Sequence, residues 1–519
     1  MERLRRSRQP EKLGPLGNPE LWKRSATAGH GHRPRGCAFK VQKRPNIWSV
    51  LATSQSSTQK QTSLAQQGHR VFDLVRKFAK GAQEIEATLT STTGEFLRFG
   101  NNELGQSQFT KSRTLSVRLA SGKKQARTTT GRLDESFIQK AVEKAVDQLK
   151  TAPEDPDYLP MLGPQKYPSV NRYHQRTVEE SAETKAGHVG HAIDLAKKNR
   201  LLASGILGTS VDEVFMLNTA GLEADYRGTG GYFSLTMDAD NGNQTGFAMS
   251  TFADISELDP KQVAETALER ARLNKAQSEV APGKFDVVID PNAWSETLFF
   301  FIVSASTGFS PDFGVRQYRE GRSYLSGRMG EKILGDNVTL VDDVYHPLQT
   351  GPAFDGEGYP KSKLTLVDDG LLKGLASSRI SAHRYNGVNP TGHELPLPTP
   401  LGEAPTNLVV QGKGATKTTD ELVGELDKGL LLTRLWYIRE VEPRTKTLTG
   451  MTRDGTFLVE NGEIKRPVKN LRFNQSLLDL FKNIDGFTEP ARNTSFTGTA
   501  MLQPGILARD FNFTSVSPF

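Results

Sequence analysis

The stretch FDVVIDPNAWSETLFFFIVSA, residues 285–305, contains the most apolar segment of an otherwise polar chain. Asp290 can cap a helix that has Pro291 in its first turn. The residues that follow are apolar around most of the helix circumference, which is typical of a buried helix. One face of this helix holds Trp294, Leu298, Phe301 and Ala305, widened by Phe299, Phe300 and Ile302. The run is far shorter than the roughly 20 residues that span a bilayer, so it predicts a core helix in a protein without a membrane segment.

Proline-rich linkers divide the rest of the 519-residue chain into three units. Residues 67–152 and 165–278 each combine amphipathic helices with short strands, whereas residues 283–519 are mostly strand with few helices. The turn pairs Asp369-Gly370 and Asn461-Gly462 indicate β-hairpins in the third unit. The sequence therefore predicts an α+β fold: two small α/β N-terminal units followed by a larger, mostly antiparallel β C-terminal domain.

The first unit shows this pattern most clearly. Breaks at Thr93-Gly94 and Asn101-Asn102 predict one hairpin, and Ser121-Gly122 predicts the turn of a second. A helix capped by Asp134 follows, which gives the order α-β-β-β-β-α. The predicted buried face of that last helix consists of Phe137, Ala141, Ala145 and Leu149.

The positive charge of the chain is concentrated at one end. Residues 1–66 contain 13 Lys/Arg and three acidic residues, a net charge of +10, whereas the remaining residues carry −3. A basic segment of low hydrophobicity without an apolar signal core is expected to be a disordered extension, although it faintly resembles an organelle transit peptide. Because the globular part is mildly acidic, we expect no direct nucleic-acid binding by it.

Few residues suit a metal or redox site. The single cysteine, Cys37, excludes an intramolecular disulfide framework and is consistent with a reducing, cytoplasmic environment. His188 and His191 have a ligand-like i, i+3 spacing on a helix, with glutamates nearby. A solvated helix face explains this pair more simply, because a zinc site needs a full set of ligands. We expect no metal to be bound by this chain.

Acidic clusters are the other polar feature. Asp342-Asp343 and Asp368-Asp369 are explained by the turns beside them. In contrast, Asp355 and Glu357 lie in the loop FDGEGYP, and loops of this kind often carry function. Paired carboxylates can perform acid–base chemistry, and His383 could assist them. These three residues are the candidate catalytic groups if the chain is itself a hydrolase.

Several of these stretches occur in the order found in a known family. RTLSVRLASG, FMLNTAGLEADYRGTGGYFSL, FDVVIDPNAW, VTLVDD, FDGEGYPKSKLTLVDDGLLKGL and FLVENGEIKRPVKNLRFNQSLLDLF resemble, collinearly, the TldD/TldE (PmbA) family. That family is described as modulators of DNA gyrase and classed among metallopeptidases. The resemblance extends over residues 70–515, which is nearly all of the chain beyond the basic extension.

The resemblance also gives the apolar run a specific interpretation. The TldD branch carries a His-Glu-x-x-x-His zinc motif directly after the sequence that matches FDVVIDPNAW. Here the motif positions fall near Phe300, Phe301 and Ala305, and no histidine lies between His191 and His346. Phenylalanine offers no lone pair to zinc. The departure points to the TldE/PmbA-like branch, which lacks the motif.

Three functions remain open from the sequence. The resemblance implies a zinc-free subunit that pairs with a zinc-bearing TldD-like subunit, as a heterodimer that cleaves flexible peptides; self-association is the other possible assembly. The second is a stand-alone hydrolase that uses Asp355, Glu357 and His383. The third is a peptide-binding protein without catalytic activity. Zinc would belong to the partner in the first case.

Overall fold

The computed structural model describes residues 63–239, 242–305, 308–494 and 500–517. The predicted basic extension lies outside these residues except for residues 63–66. Those four belong to the folded part, because the Ser63 hydroxyl accepts a hydrogen bond from Gln66 N (3.2 Å) and caps the first helix. This helix therefore begins at Leu64, slightly before the predicted start of order at residue 67.

The two N-terminal units share one antiparallel sheet, with three strands from each. Its strand order is β3-β2-β1-β4-β5-β6, and β1 and β4 pair along almost their full length at the junction. The first unit contains α1 Leu64–Phe78, β1 Glu84–Gly100, β2 Glu103–Ser121, β3 Lys124–Thr130 and α2 Glu135–Thr151. The second contains α3 Gln175–Glu179, α4 Ala182–Lys198, β4 Leu202–Asn218, β5 Glu223–Asp238, β6 Thr245–Phe252 and α5 Pro260–Leu273.

One local prediction for the first unit was wrong, and another was correct only in part. Thr93-Gly94 does not break the strand, because β1 is paired there with β2 on one side and β4 on the other. The first unit therefore has three strands, and the turn is at Asn101-Asn102, where both residues have positive φ. On α2, Ala145 and Leu149 are buried as predicted, whereas Ile138 and Val142 are buried in place of Phe137 and Ala141. The Phe137 ring is covered by the Arg132 guanidinium at 3.8 Å.

The six-stranded sheet has chemically different faces. Alternate residues of β1, such as Leu89, Leu97 and Phe99, pack against the helices in two apolar clusters. The residues between them, such as Thr88 and Thr90, face the opposite side, where a cavity lies against the C-terminal loops. The sheet therefore supplies a hydroxyl-rich wall to the interior of the molecule.

In its described residues the third unit has a six-stranded sheet, a nine-stranded sheet, a two-stranded β8–β9 sheet and five short α-helices, which agrees with the predicted strand-rich unit with few helices. The six-stranded sheet of this unit has the order β12-β11-β10-β13-β22-β21; the nine-stranded sheet has the order β15-β16-β19-β23-β7-β14-β17-β18, with β20 paired to β23. Its strands are β7 Gly283–Ile289, β8 Val303–Ser304, β9 Ser310–Pro311, β10 Val338–Asp342, β11 Leu364–Asp368, β12 Leu371–Leu372, β13 Leu408–Gly412, β14 Lys428–Leu432, β15 Leu435–Glu442, β16 Thr447–Thr452, β17 Thr456–Glu460, β18 Glu463–Pro467, β19 Leu471–Ser476, β20 Ile484–Phe487, β21 Ala491–Thr494, β22 Ala500–Gln503 and β23 Ile506–Val516. Its helices are α6 Ser295–Ile302, α7 Val315–Arg319, α8 Arg379–Arg384, α9 Thr419–Gly424 and α10 Leu477–Lys482.

The two predicted hairpin turns of this unit are confirmed. Asp369-Gly370 connects β11 to β12, and Asn461-Gly462 connects β17 to β18. All four residues have positive φ, which matches the twist of tight hairpin turns. Most strand pairs are antiparallel, with β7–β14 and β13–β22 as parallel exceptions. The α+β class predicted from the sequence is therefore confirmed.

No helix in the part of the chain that the structure describes is both long enough and apolar enough to cross a bilayer.

Candidate functional site

The first candidate region is α6, which carries the apolar run. Asp290 caps a short 3₁₀ turn, Pro291–Ala293, by accepting a hydrogen bond from Asn292 N (3.0 Å), and α6 begins after Trp294. The helix ends at Ile302, earlier than predicted. It ends there because Val303 takes an extended conformation and pairs with Pro311 in the β8–β9 hairpin.

The residues predicted to occupy the zinc-motif positions lie in an aromatic environment. Phe301 is fully buried, and its ring centroid lies 4.7 Å from Phe481 and 5.7 Å from Phe313. Phe300 is buried as well, whereas Ala305 lies beyond the helix and is partly exposed. None of the three side chains has an atom that could bind zinc or activate a water. The residues at this place do not fit a metal, and the phenylalanines serve packing.

A buried ionic cluster adjoins the end of α6. The Lys446 ammonium is fully buried and lies 2.6 Å from Asp312 Oδ2 and 2.9 Å from Glu440 Oε1. It also donates to the carbonyl oxygen of Val303 at 3.2 Å, and the Ser304 hydroxyl donates to Glu440 Oε2 at 3.1 Å. Burial raises the pKa of Asp312, although Lys446 opposes that rise. Sequence reasoning missed this cluster because its members are far apart in the chain.

The second candidate region is the acidic loop, and Asp355 holds its shape. Asp355 Oδ1 accepts hydrogen bonds from Glu357 N and Tyr359 N, both at 2.9 Å, and Oδ2 accepts one from Glu394 N at 3.1 Å. The carboxylate is buried, and both of its oxygens accept backbone hydrogen bonds. Asp355 therefore acts as a structural bridge between two loops, and its geometry does not favour the predicted catalytic role.

Glu357 and Glu394 form a pair of buried carboxyl groups beside this bridge. Glu357 Oε1 lies 3.6 Å from the Arg379 guanidinium. Oε2 of each glutamate has no hydrogen-bond partner among the described residues. Burial, reinforced by Asp355, raises the pKa of Glu357 to about 7, and burial, reinforced by Glu357, raises the pKa of Glu394 to about 8. The pair can hold a proton near neutral pH, which is a property of many functional sites.

The structure places a different histidine near these groups. His383 is exposed on α8, outside the buried loop, so its predicted assistance to Asp355 and Glu357 is not supported. His393 is buried instead: Nε2 lies 3.1 Å from Asp342 Oδ1, and Nδ1 lies 2.8 Å from Thr391 Oγ1. Although burial acts to raise the pKa of Asp342, His393 lowers it. In the sequence, the acidic neighbour Glu394 was the one feature that could have drawn attention to His393.

A cavity of about 500 Å³ lies between the hydroxyl-rich face of the N-terminal sheet and the C-terminal loops. Asp355, Lys361, His393 and Glu394 line it from the loop side. A second cavity of about 830 Å³ adjoins it, since both are lined by Val214 and by the turn at residues 350–352. The acidic loop predicted from composition thus belongs to the wall of an internal space large enough for a small ligand.

The histidines with ligand-like spacing, His188 and His191, lie on α4. His188 Nε2 lies 3.6 Å from Glu180 Oε1 on the surface of the second unit. Across residues 63–239, 242–305, 308–494 and 500–517, no group of three or more His, Cys, Asp or Glu side chains is arranged to hold a metal ion.

Comparison with known proteins gives a consistent result. Residues 282–515 match the family model described as "PmbA/TldA metallopeptidase C-terminal domain". Residues 179–275 match the model described as "PmbA/TldA metallopeptidase central domain". The structure is similar to that of TldE from Thermococcus kodakarensis, with a TM-score of 0.75 at 20% identity, covering 85% of this chain and 99% of that one. This likeness shows a common fold.

Two sequence relatives have metalloprotease names. The PmbA homolog metalloprotease of Haemophilus influenzae is 23% identical over 419 residues, which is 78% of this chain and 87% of that protein. A metalloprotease of Methanothermobacter thermautotrophicus is 28% identical over 254 residues, 47% of this chain, so the match spans about half (50%) of that relative.

The fold and both domain matches therefore define a chain of the metallopeptidase-like class. It belongs to the PmbA/TldD family, as the collinear motifs indicated.

The raised pKa values predict a pH dependence of stability. From an ordinary value of 4.5, the pKa of Glu357 rises to about 7 and that of Glu394 to about 8. Between these pH values the folded state keeps protons that the unfolded state releases. The contribution of the two glutamates to the free energy of unfolding is therefore complete below pH 4.5 and is lost as pH rises to 7–8. We expect Glu357→Gln and Glu394→Gln to stabilise the protein by about 1–3 kcal/mol at pH 8 and to flatten the profile. Urea unfolding between pH 5 and 8 measures this, with the exposed Glu103→Gln as control. Equal slopes in all four proteins would contradict it.

Proposed function

We propose that this chain is the zinc-free subunit of a heteromeric metallopeptidase that acts on flexible peptides in the cytoplasm. Its partner is a TldD-like subunit that carries the His-Glu-x-x-x-His motif and the zinc. The proposal rests on the residues found at the predicted zinc-motif positions. Phe300 and Phe301 are buried in an aromatic core in a chain of a metallopeptidase-like family.

The contacts of α6 support a subunit that keeps the fold and has lost the chemistry. Where a metal-binding helix needs donor atoms directed into an open site, Phe301 is enclosed by Phe313, Tyr324 and Phe481. Catalysis by an assembly that contains this chain must then use the metal of another subunit. The chain contributes shape, binding surface or both.

A stand-alone hydrolase is less well supported. Asp355 accepts three backbone hydrogen bonds, and His383 is exposed, so the three predicted residues do not form a catalytic arrangement. The cavity is compatible with a peptide-binding protein that has no catalytic activity. It is equally compatible with a zinc-free subunit that binds peptides for its partner. The presence of a zinc-bearing partner distinguishes these two.

Co-purification tests the proposal. The chain should be tagged and co-expressed with a His-Glu-x-x-x-His homologue from the same genome, and zinc should be measured by elemental analysis. We expect the pair to carry about one zinc and to cleave an unfolded peptide, whereas the tagged chain alone should carry no stoichiometric zinc and show no cleavage.

The control is a partner whose motif glutamate is changed to glutamine, which should assemble without cleaving. Stoichiometric zinc on the isolated chain, lost in His188→Ala, would overturn the assignment of zinc to the partner. Cleavage by the isolated chain, lost in Glu357→Gln, would favour the stand-alone hydrolase.

A further inference from the structure

Lys361, directly after the acidic loop, has a fixed and buried side chain. Its backbone N–H donates to the Ala353 carbonyl at 2.9 Å, which holds the segment in place. The ammonium donates to Thr406 Oγ1 at 2.8 Å and to Asn407 Oδ1 at 2.9 Å. The residue is 9% exposed, and both acceptors are neutral.

The charge of this lysine has no close counter-ion. Among the described residues, no carboxylate oxygen lies within the 4.0 Å ion-pair distance of Lys361 Nζ. The other two buried lysines are paired: Lys185 with Glu95 at 2.7 Å, and Lys446 with Asp312 at 2.6 Å. A buried ammonium is costly, and burial lowers the pKa of Lys361, although the more distant carboxylates of Asp342 and Asp355 oppose that shift. An ammonium has three N–H donors, and two are used here, so one remains for a ligand.

The position of this group points to the ligand's location. Lys361, Thr406 and Asn407 all line the 500 Å³ cavity. Its opposite wall is formed by hydroxyl side chains of the N-terminal sheet, including Thr88, Thr90 and Ser116, and apolar loop residues complete it. A volume of this size is within the range of about 300–1,000 Å³ typical of small-molecule sites.

We propose that the cavity binds a short free peptide of two to three residues through its terminal carboxylate, which pairs with the Lys361 ammonium. The choice of a peptide rests on the proposed function, whereas the choice of a single carboxylate rests on the cavity. Among the described residues that line it there is no arginine, whereas phosphate sites commonly contain arginine side chains or helix N-termini. Hydroxyl groups on the sheet can hydrogen-bond to peptide amides, and the apolar walls accept small side chains.

Calorimetry on the isolated full chain tests this with trialanine and its C-terminal amide. We expect trialanine to bind about tenfold or more tightly than trialaninamide, since a charge-assisted hydrogen bond contributes that much. Lys361→Met should lose a similar factor. The control is Lys363→Met, which removes an exposed lysine on the same segment and should leave the affinity unchanged.

A thermal melt without peptide accompanies these titrations. Lys361→Met should stay folded and melt near the wild-type temperature, because the substitution removes the desolvation cost of the ammonium together with its attraction to Asp342 and Asp355. Equal binding of acid and amide, undiminished binding by Lys361→Met, or no binding of trialanine would each overturn the proposal. Tighter binding of inorganic phosphate than of trialanine would overturn the carboxylate assignment. None of these results affects the zinc and pairing tests, and failure of pairing would leave this measurement valid.

Discussion

Phe301→Ala is expected to destabilise the protein by about 3–5 kcal/mol, which is typical of a truncated buried phenylalanine. The side chain is fully buried and its ring contacts three aromatic neighbours, the nearest at 4.7 Å. Removing the ring leaves a cavity that these rigid neighbours cannot fill. Phe301→Leu keeps most of the apolar volume and should cost roughly 1–2 kcal/mol. Urea unfolding followed by tryptophan fluorescence measures both, since Trp294 lies against Phe481 in the same cluster.

The exposed Phe309→Ala is the matched control and should cost less than about 1 kcal/mol. The same series separates packing from substrate contact. In an assembled complex, peptide cleavage by Phe300→Ala and Phe301→Ala should fall only with the fraction of intact complex. A stable and fully assembled Phe301→Ala complex without cleavage would show that the aromatic run contacts the peptide, contrary to the structural role assigned here.

Lys446→Met is expected to have a comparable effect, about 3–5 kcal/mol, for an electrostatic reason. The substitution leaves Asp312 and Glu440 buried and close together without the cation between them. The unfolding free energy of this variant should recover as pH falls, because the two carboxyl groups take up protons that the unfolded state does not hold. Urea unfolding at pH 5 and pH 8 measures the difference.

The triple variant Lys446→Met, Asp312→Asn, Glu440→Gln should regain most of the loss, since no unpaired charge remains. The exposed pair Lys417–Glu425 provides the control, and Lys417→Met should cost less than about 1 kcal/mol. A small and pH-independent effect of Lys446→Met would mean that the cluster does not stabilise the fold.

The sequence predicted elements better than it predicted their faces and partners. Sequence patterns predicted the strand before α6, the two hairpin turns that contain glycine, and the long helices. Each of these elements is determined by residues that are close together in the sequence. On α2 the second half of the buried face was correct, but Phe137 in the first half is covered by Arg132, which lies outside the helix, and Ile138 is buried in its place. The break at Thr93-Gly94 was wrong because strands on both sides hold the backbone extended.

The same distinction applies to the candidate site. Composition located Asp355 and Glu357 in a loop, and that loop does line a cavity. The spacing of residues along the chain could not show which histidine lies near this loop in the fold, so the prediction named His383 instead of His393. The lack of a counter-ion for Lys361 depends on the distances between segments far apart in the chain. Local patterns carry no information about such distances.

The shared N-terminal sheet has a consequence for how the chain is made on the ribosome. β1 is an interior strand, and its second neighbour is β4. Glu86 of β1 can therefore pair with Asn218 of β4 only after the ribosome has synthesised residue 218. At translation rates of about 5–20 residues per second, the inner edge of β1 stays uncovered for on the order of ten seconds. An uncovered strand edge readily pairs with other chains. Nascent chains that stall in the linker at residues 153–164 would present this edge, and we expect them to depend on chaperones more than chains released after β4.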